Sequence, residues 1–224
     1  MGRKRYAIIV AGGSGTRMGG DVVKQFIMLG ERPVLLHTVE KFLNLKERPE
    51  IIIVVPSGLR EDWKAICKEY RFAVSHTLVS GGITRFHSVK NALKYIEPDS
   101  VVAVHDGVRP FASTEFIEEL YAEAEVCGAV IPVIKVTDSL RMVDGDVSKP
   151  VDRERFIAVQ TPQLFWSEYL LKSYEQAYTP EFTDDASVVE SIGVKIKFAA
   201  GLTANIKITK PEDMILANAI LTSF

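Results

Sequence analysis

Short apolar runs alternate with helical patterns along nearly the whole chain, and this alternation constrains the fold more than any other feature. Runs with strand character lie at Tyr6–Val10, Ile51–Val55, Ala73–Val79, Val101–Val104, Ala129–Val136 and Val194–Phe198. They are β-branched and nearly free of charge, as strands buried on both faces of a parallel sheet are. Between most of them apolar residues recur at helical spacing, at Val34–Leu45, Arg60–Tyr70, Thr84–Tyr95, Thr114–Val126, Ser167–Tyr178 and Asp185–Ser191. The pattern predicts an α/β fold, doubly wound around a mostly parallel, Rossmann-like sheet. Ala204–Thr209 reads as one more strand, ending at a helix entrance. There Thr209-Lys-Pro-Glu212 combines a capping box with Pro just before the helical run Glu212–Leu221. The 224 residues suffice for one substantial core, so one domain spanning 1–224 is expected.

The first run, Tyr6–Val10, opens directly onto Ala11-Gly-Gly-Ser-Gly-Thr-Arg17 and then Lys24-Gln-Phe26. Ligands of open α/β sheets bind at the carboxyl ends of strands, where these glycines emerge. Gly12, Gly13 and Gly15 allow successive peptide N–H groups to turn inward around phosphate oxygens, with Ala11 and Ser14 between and beside them. Arg17 and Lys24 add fixed positive charge. The Walker pattern needs Lys directly after its last Gly, yet Asp21 follows Gly20, and the dinucleotide fingerprint needs Gly where Met18 stands. The segment therefore reads as a phosphate-binding loop of another nucleotide-binding class, against the plainer alternative of a glycine-rich turn between strand and helix.

Charge and cysteine usage narrow the function. Lys plus Arg number 27 against 29 Asp plus Glu, a net charge of −2, so no basic excess points to nucleic acid. No apolar stretch approaches the roughly 18 residues that cross a membrane, and the N-terminus lacks a signal peptide's apolar core, so a cytoplasmic location is expected. Cys67 and Cys127 are far apart and read as buried free thiols; the four histidines lack metal-ligand spacing.

Four further segments carry candidate chemistry. His105-Asp-Gly-Val-Arg-Pro-Phe111 follows the run Val101–Val104, so Asp106 would face the same crevice as the glycine loop. Mg²⁺ prefers one or two carboxylates plus phosphate oxygens, which suits Asp106 to a triphosphate's metal ion, with Arg109 orienting it or touching phosphate. A plain Asp-Gly turn is the alternative. Ser80-Gly-Gly-Ile-Thr-Arg-Phe-His-Ser88 is a second glycine turn into a helix, either a simple helix entry or a place where backbone at Gly81 and Gly82 and the Ser88 hydroxyl read a base. Lys207 stands between Ile206 and Ile208 and so points to the face opposite them. Last, 137–156 breaks the alternation: two short extended pieces flank Asp144-Gly-Asp146 as a hairpin with too few apolar residues for its own core. It reads as a surface hairpin or as an arm packed on a second subunit.

Taken together these motifs resemble the 2-C-methyl-D-erythritol 4-phosphate cytidylyltransferases over nearly the whole chain. The resemblance is carried by Ala11-Gly-Gly-Ser-Gly-Thr-Arg-Met18 with Lys24-Gln-Phe26, Val104-His-Asp-Gly-Val-Arg-Pro110, Val151-Asp-Arg153, Gln160-Thr-Pro-Gln163, Thr183-Asp-Asp-Ala-Ser187 and Asn205-Ile-Lys-Ile-Thr209. It implies transfer of a cytidylyl group from CTP to a polyol phosphate, 2-C-methyl-D-erythritol 4-phosphate, with Mg²⁺ and release of pyrophosphate. It implies that Arg17 and Lys24 stabilise the transition state, that Lys207 holds the attacking phosphate, and that Arg153 reaches that phosphate in a neighbouring subunit of a homodimer. Thr183 and Ser139 would line the same pocket, and Ser88, Gly81 and Gly82 would recognise cytosine. Two departures stand out: Val23 precedes Lys24 where the family often has Pro, and Ile83 follows Gly82 where an acidic residue is common, which favours backbone reading of the base. A ribitol 5-phosphate cytidylyltransferase and a non-catalytic nucleotide-binding protein are the rival readings.

Overall fold

A computed structural model describes residues 2–12 and 26–223. Strand β1 (Lys4–Val10) leads the chain, and the two-residue strands β2 (Met28–Leu29) and β3 (Arg32–Pro33) form a small hairpin before helix α1 (Val34–Leu43). There follow β4 (Glu50–Val55), α2 (Arg60–Glu69), β5 (Thr77–Ser80), α3 (Arg85–Ala92), β6 (Ser100–Asp106), α4 (Thr114–Cys127) and β7 (Ala129–Lys135). The second half holds β8 (Leu140–Asp144), β9 (Val147–Val151), β10 (Ile157–Val159), β11 (Gln163–Trp166), α5 (Ser167–Ser173), α6 (Asp185–Glu190), β12 (Lys197–Ala200) and α7 (Pro211–Leu221).

Strands β5, β4, β1 and β6 lie side by side and parallel. β1 pairs with β4 on one side and β6 on the other, so the carboxyl ends of β1 and β6, the kind of place where open α/β sheets bind ligands, lie side by side. Beyond β6 the sheet continues through the antiparallel strand β11 to β7, and β12 pairs parallel with β7 on its far side. β10 lies along the same edge of β7 as β11, next to the other end of that strand. The sheet is therefore mostly parallel and doubly wound, as the alternation predicts.

Both faces are covered, which is why β1, β4 and β6 read as continuous apolar runs. Ala7 and Ile9 pack with Leu35, Trp63 and Phe116 of α1, α2 and α4; Tyr6 and Ile8 pack on the other face with Phe86, Leu170 and Val188 of α3, α5 and α6. A third cluster joins Leu29, Val34, Val108, Phe111, Ile208 and Ala217, and seats α7 near the carboxyl end of β6.

Several expectations change. β10 and β11 are antiparallel strands that the alternation does not predict. Ala204–Thr209 is not a strand: Ile208 N donates to Val108 O at 3.0 Å, but Asn205 O is taken by the Arg109 side chain, so no ladder forms. The strand expected from Ala73 starts only at Thr77, and the helix expected to reach Tyr178 ends at Ser173. At the start of α7 the acceptor is Asp213 rather than Glu212, taking bonds from Thr209 N at 2.7 Å and Lys210 N at 2.9 Å. Cys67 and Cys127 are half-buried rather than buried, and burial pushes the Cys67 thiol up to about 11. The hairpin lies where the turn signal puts it, and β8 and β9 pair only with each other. Among the described residues no helix is long and apolar enough to cross a membrane.

Candidate active site

A glycine holds the chain leaving β6 against the carboxyl end of β1. Gly107 N donates to Val10 O at 2.9 Å, and a Cβ on Gly107 would lie 2.9 Å from Leu35 and 3.1 Å from the Ala11 side chain, so the chain leaving β6 runs directly against the end of β1. Ala11 N in turn donates to Val54 O at 2.8 Å, which fixes the first residue of the glycine segment to β4.

The second glycine turn meets the first at this place. Ser88 Oγ would be 3.1 Å from a Cβ on Gly12 and 3.2 Å from one on Gly81. That hydroxyl accepts from Gly82 N at 3.0 Å and donates to Thr84 O at 3.0 Å, so Ser88 holds the turn in shape. A Cβ on Gly82 would fall 2.3 Å from the His87 side chain, a contact that only glycine avoids. Ile83 next to it is 96% exposed. Gly13, Ser14, Gly15, Arg17, Val23 and Lys24 lie outside the described residues.

Asp106, at the last position of β6, is the electrostatic centre. Its side chain is 9% exposed, and it meets Lys207 Nζ at 3.0 Å, Arg109 Nε at 3.1 Å and Arg85 Nε at 3.6 Å. Burial alone would raise its pKa, but Arg85, Lys207 and Arg109 outweigh burial and hold the carboxyl well below the usual carboxylate range. Lys207 reaches this point because Ile208 is fully buried in the α7 cluster. Arg109 also donates to Asn205 O at 2.8 Å, tying the segment that carries Lys207 to the loop after β6.

Arg85 joins this centre to a second carboxylate. Its Nη2 lies 2.7 Å from Oδ2 of Asp185, a fully buried residue at the start of α6 whose Oδ1 accepts from Tyr174 Oη at 2.6 Å. The sequence places Arg85 at a helix entrance and gives it no role. A signal was present: Arg85 is the first residue of α3, where the helix dipole disfavours a cation, and the first turn holds no acid to offset it. An arginine in that position needs a carboxylate from elsewhere in the fold.

His105 is buried behind Asp106. Its Nε2 donates to Arg109 O at 3.0 Å, and its Nδ1 accepts from the Thr161 hydroxyl at 3.1 Å, which describes a neutral ring. Burial pushes its pKa down to about 4, against the opposing effect of the Arg109 carbonyl. An unfolded histidine titrates at about 6.5, so the unfolded chain binds the proton first and stability is lost as pH falls from about 6.5 toward 4. The loss from this one group is up to about 3 kcal/mol. Urea unfolding midpoints measured between pH 7 and 5 should fall for the native chain and fall less for His105→Gln; equal slopes would show that His105 does not carry the effect.

The remaining candidates lie apart from Asp106 in their bonding. Arg153 donates to Thr137 O and lies 3.7 Å from Glu154, at the root of the hairpin, and its side chain is 48% exposed. Ser139 and Thr183 are exposed, and Thr183 precedes Asp184, which caps α6 by accepting from Ser187 N at 2.9 Å. Thr161, Asn205 and Asp185 were not singled out from the sequence as site residues, because each acts through partners distant along the chain.

With this geometry established, comparison with known proteins is specific. The family model for 2-C-methyl-D-erythritol 4-phosphate cytidylyltransferase (IspD) matches residues 6–223. A protein of that name from Bacteroides thetaiotaomicron is 48% identical over 218 residues, covering 97% of this chain and 100% of the relative. Another of the same name, from Porphyromonas gingivalis, is 46% identical over 224 residues, covering both chains in full. The solved structure of 4-diphosphocytidyl-2C-methyl-D-erythritol synthase from Anaerococcus prevotii superposes with a TM-score of 0.81 at 33% identity, covering 98% of this chain and 96% of that one. A chain matched from its first strand to its last helix, at nearly half identity to curated relatives, belongs to the 2-C-methyl-D-erythritol 4-phosphate cytidylyltransferase family.

Proposed function

We propose that the chain transfers the cytidylyl group of CTP to 2-C-methyl-D-erythritol 4-phosphate, giving 4-diphosphocytidyl-2-C-methyl-D-erythritol and pyrophosphate. The observation that carries this reading is the carboxylate of Asp106, ringed by Lys207, Arg109 and Arg85, at the end of the sheet where Gly12 and Gly81 converge. A phosphate oxygen of the polyol phosphate attacks the α-phosphorus of CTP in line, and the bond to the pyrophosphate oxygen breaks. The attacking phosphate is already an anion, so no protein base or nucleophile is needed.

What the protein supplies is position and charge. Lys207, 40% exposed beside Asp106, holds the attacking phosphate in this reading. Arg17 and Lys24 take the growing charge at the α-phosphorus, a role that rests on the family motif, and the backbone carbonyls of Gly81 and Gly82 read the base, since their N–H groups are bonded to Val55 O and Ser88 Oγ. Among the described residues no group of three or more His, Cys, Asp or Glu side chains is arranged to hold a metal ion. The hard-oxygen donor of Asp106 does fit Mg²⁺ carried in by a triphosphate, which needs only one or two carboxylates beside phosphate oxygens. Such an ion neutralises phosphate charge, and Asp106 would hold it.

In this reading one nucleotidyltransferase domain, working in the cytoplasm, carries a dimerisation arm at about 137–156. An isolated hairpin is only marginally stable in water. Among the described residues β8 and β9 pair with no other strand and expose Met142, Val143 and Val147, while Phe156, Ile157 and Val159 expose a further apolar edge. A second copy would cover these residues and bring its Arg153 to the polyol phosphate, in the pocket that Ser139 and Thr183 line. A charge-assisted hydrogen bond is worth about 1.5–3 kcal/mol, so Arg153→Ala should raise the KM of the polyol phosphate roughly 10- to 100-fold and leave that of CTP nearly unchanged. Equal effects on both substrates would remove Arg153 from the phosphate site.

Pyrophosphate release from CTP with 2-C-methyl-D-erythritol 4-phosphate, run beside ribitol 5-phosphate, tests the function directly. Faster turnover of ribitol 5-phosphate would overturn the choice of substrate, and CTP binding with no release from either would point to a non-catalytic nucleotide binder. The family match and the names of both curated relatives favour neither alternative.

A further inference from the structure

Past the glycine segment, the chain runs along the aromatic face of α2. Phe26 stacks on the Trp63 ring, with 18° between the planes and 6.3 Å between the centroids, and it packs on the core cluster to which Trp63 belongs. Two residues on, Met28 Sδ accepts from Tyr70 Oη at 3.5 Å. β4 and β5 are parallel neighbours, so α2 between them runs from the carboxyl end of β4 back toward the amino end of β5. Trp63 stands near the start of α2 and Tyr70 at its C-cap. Phe26 is therefore the contact nearer the end of the sheet where Ala11 and Asp106 lie.

Trp63 is fully buried, and a buried indole N–H needs an acceptor. Its Nε1 donates to His76 Nε2 at 2.9 Å, while His76 Nδ1 donates to Val74 O at 2.8 Å. A carbonyl can only accept, so the proton of the neutral ring sits on Nδ1 and leaves Nε2 as the acceptor for Trp63. The His76 and Phe72 rings meet the indole edge-on, at 5.8 and 6.0 Å, and so fix the plane against which Phe26 lies. Core packing alone does not demand the polar bond: Trp166 has a buried Nε1 with no partner among the described residues. We propose that Trp63 and His76 are positioning residues for CTP: the histidine fixes the indole plane, and the indole seats Phe26, two residues after Lys24. Two residues span at most about 7 Å, so the seat acts on the phosphate-binding segment through a short tether. This rests on the cytidylyltransferase reading above, and it adds a support for the nucleotide's phosphates that lies outside the Asp106 cluster.

Calorimetric titration of CTP with Mg²⁺, with kcat measured beside it, tests the seat. His76→Leu fills the space without an acceptor and should weaken CTP by about tenfold, the scale of one hydrogen bond, and lower kcat, while the KM of the polyol phosphate stays within about twofold. His76→Gln, whose amide oxygen reaches about as far as Nε2, should recover most of the loss. Phe26→Ala should weaken CTP by a similar factor, and adding His76→Leu to it should weaken CTP no further, because the histidine acts through that ring. A merely structural role would lower the thermal midpoint with CTP binding unchanged, weaken both substrates alike, or give losses that add in the double variant. Each of these results overturns the proposal, as does failure of His76→Gln to recover. If His76→Leu does not fold, Trp63→Phe, which keeps an aromatic ring and removes the N–H, takes its place in the cycle and is judged the same way. A native chain that binds CTP but releases no pyrophosphate would defeat the functional reading alone, and the titrations, which need no turnover, would still decide the seat.

Discussion

Arg85→Met is expected to lower unfolding stability by about 3 kcal/mol, the low end of the cost of breaking a buried ion pair. The loss arises at Asp185, which is fully buried and keeps only the Tyr174 hydroxyl when Arg85 is gone. The low end applies because Arg85 itself is 27% exposed and Tyr174 still donates. Asp185→Asn in the same chain removes the stranded charge, so the double variant should be more stable than Arg85→Met alone. A double-mutant cycle by urea unfolding measures this coupling, and additive losses would show that the pair does not interact. Activity should fall in both Arg85→Met chains, since Asn at 185 repairs the fold but returns no cation to Asp106. Recovery of activity with stability would mean that Arg85 acts through folding alone.

Arg85 also marks where the sequence stops being legible. β1, β4 and β6 can be read because strands buried on two faces must be apolar throughout, and that shows in any window of residues. Asp106 and Lys207 can be read for a related reason: a charge at the end of an apolar strand, or between two isoleucines, has to be placed somewhere. β10 and β11 escape because they are three and four residues long and flank a polar stretch whose buried side chains replace the ladder. Ile206-Lys-Ile208 misleads in the opposite direction, since its alternation is that of a strand while Arg109 and Gln160 occupy the carbonyls nearby that a strand would offer to a neighbour. Alternation reports which face a residue takes; it does not report what satisfies the backbone. The partners of Arg85 and Thr161 are set by topology, which brings α6 and the β10–β11 junction to the end of β6, and no local pattern encodes that meeting.

Asp106→Asn is expected to remove at least about 10²–10³-fold of kcat, the scale on which a preorganised electrostatic group acts. Asparagine keeps the shape and the oxygen, but it leaves Arg85, Lys207 and Arg109 facing one another with no anion between them. Two consequences separate a metal-holding role from charge balance alone. If Asp106 only balances charge, inorganic pyrophosphate bound in the crevice would substitute for the lost anion, so the variant should gain more in thermal midpoint from pyrophosphate than the native chain does. If Asp106 also holds Mg²⁺, the half-maximal Mg²⁺ concentration for CTP binding must rise in the variant, and pyrophosphate would not correct that rise. We expect both shifts, because the carboxylate that offsets three cations in this fold is the same hard-oxygen donor a triphosphate-bound ion requires. An unchanged Mg²⁺ requirement would confine Asp106 to holding the cations in place, and would move the search for the metal's protein ligand away from the end of β6.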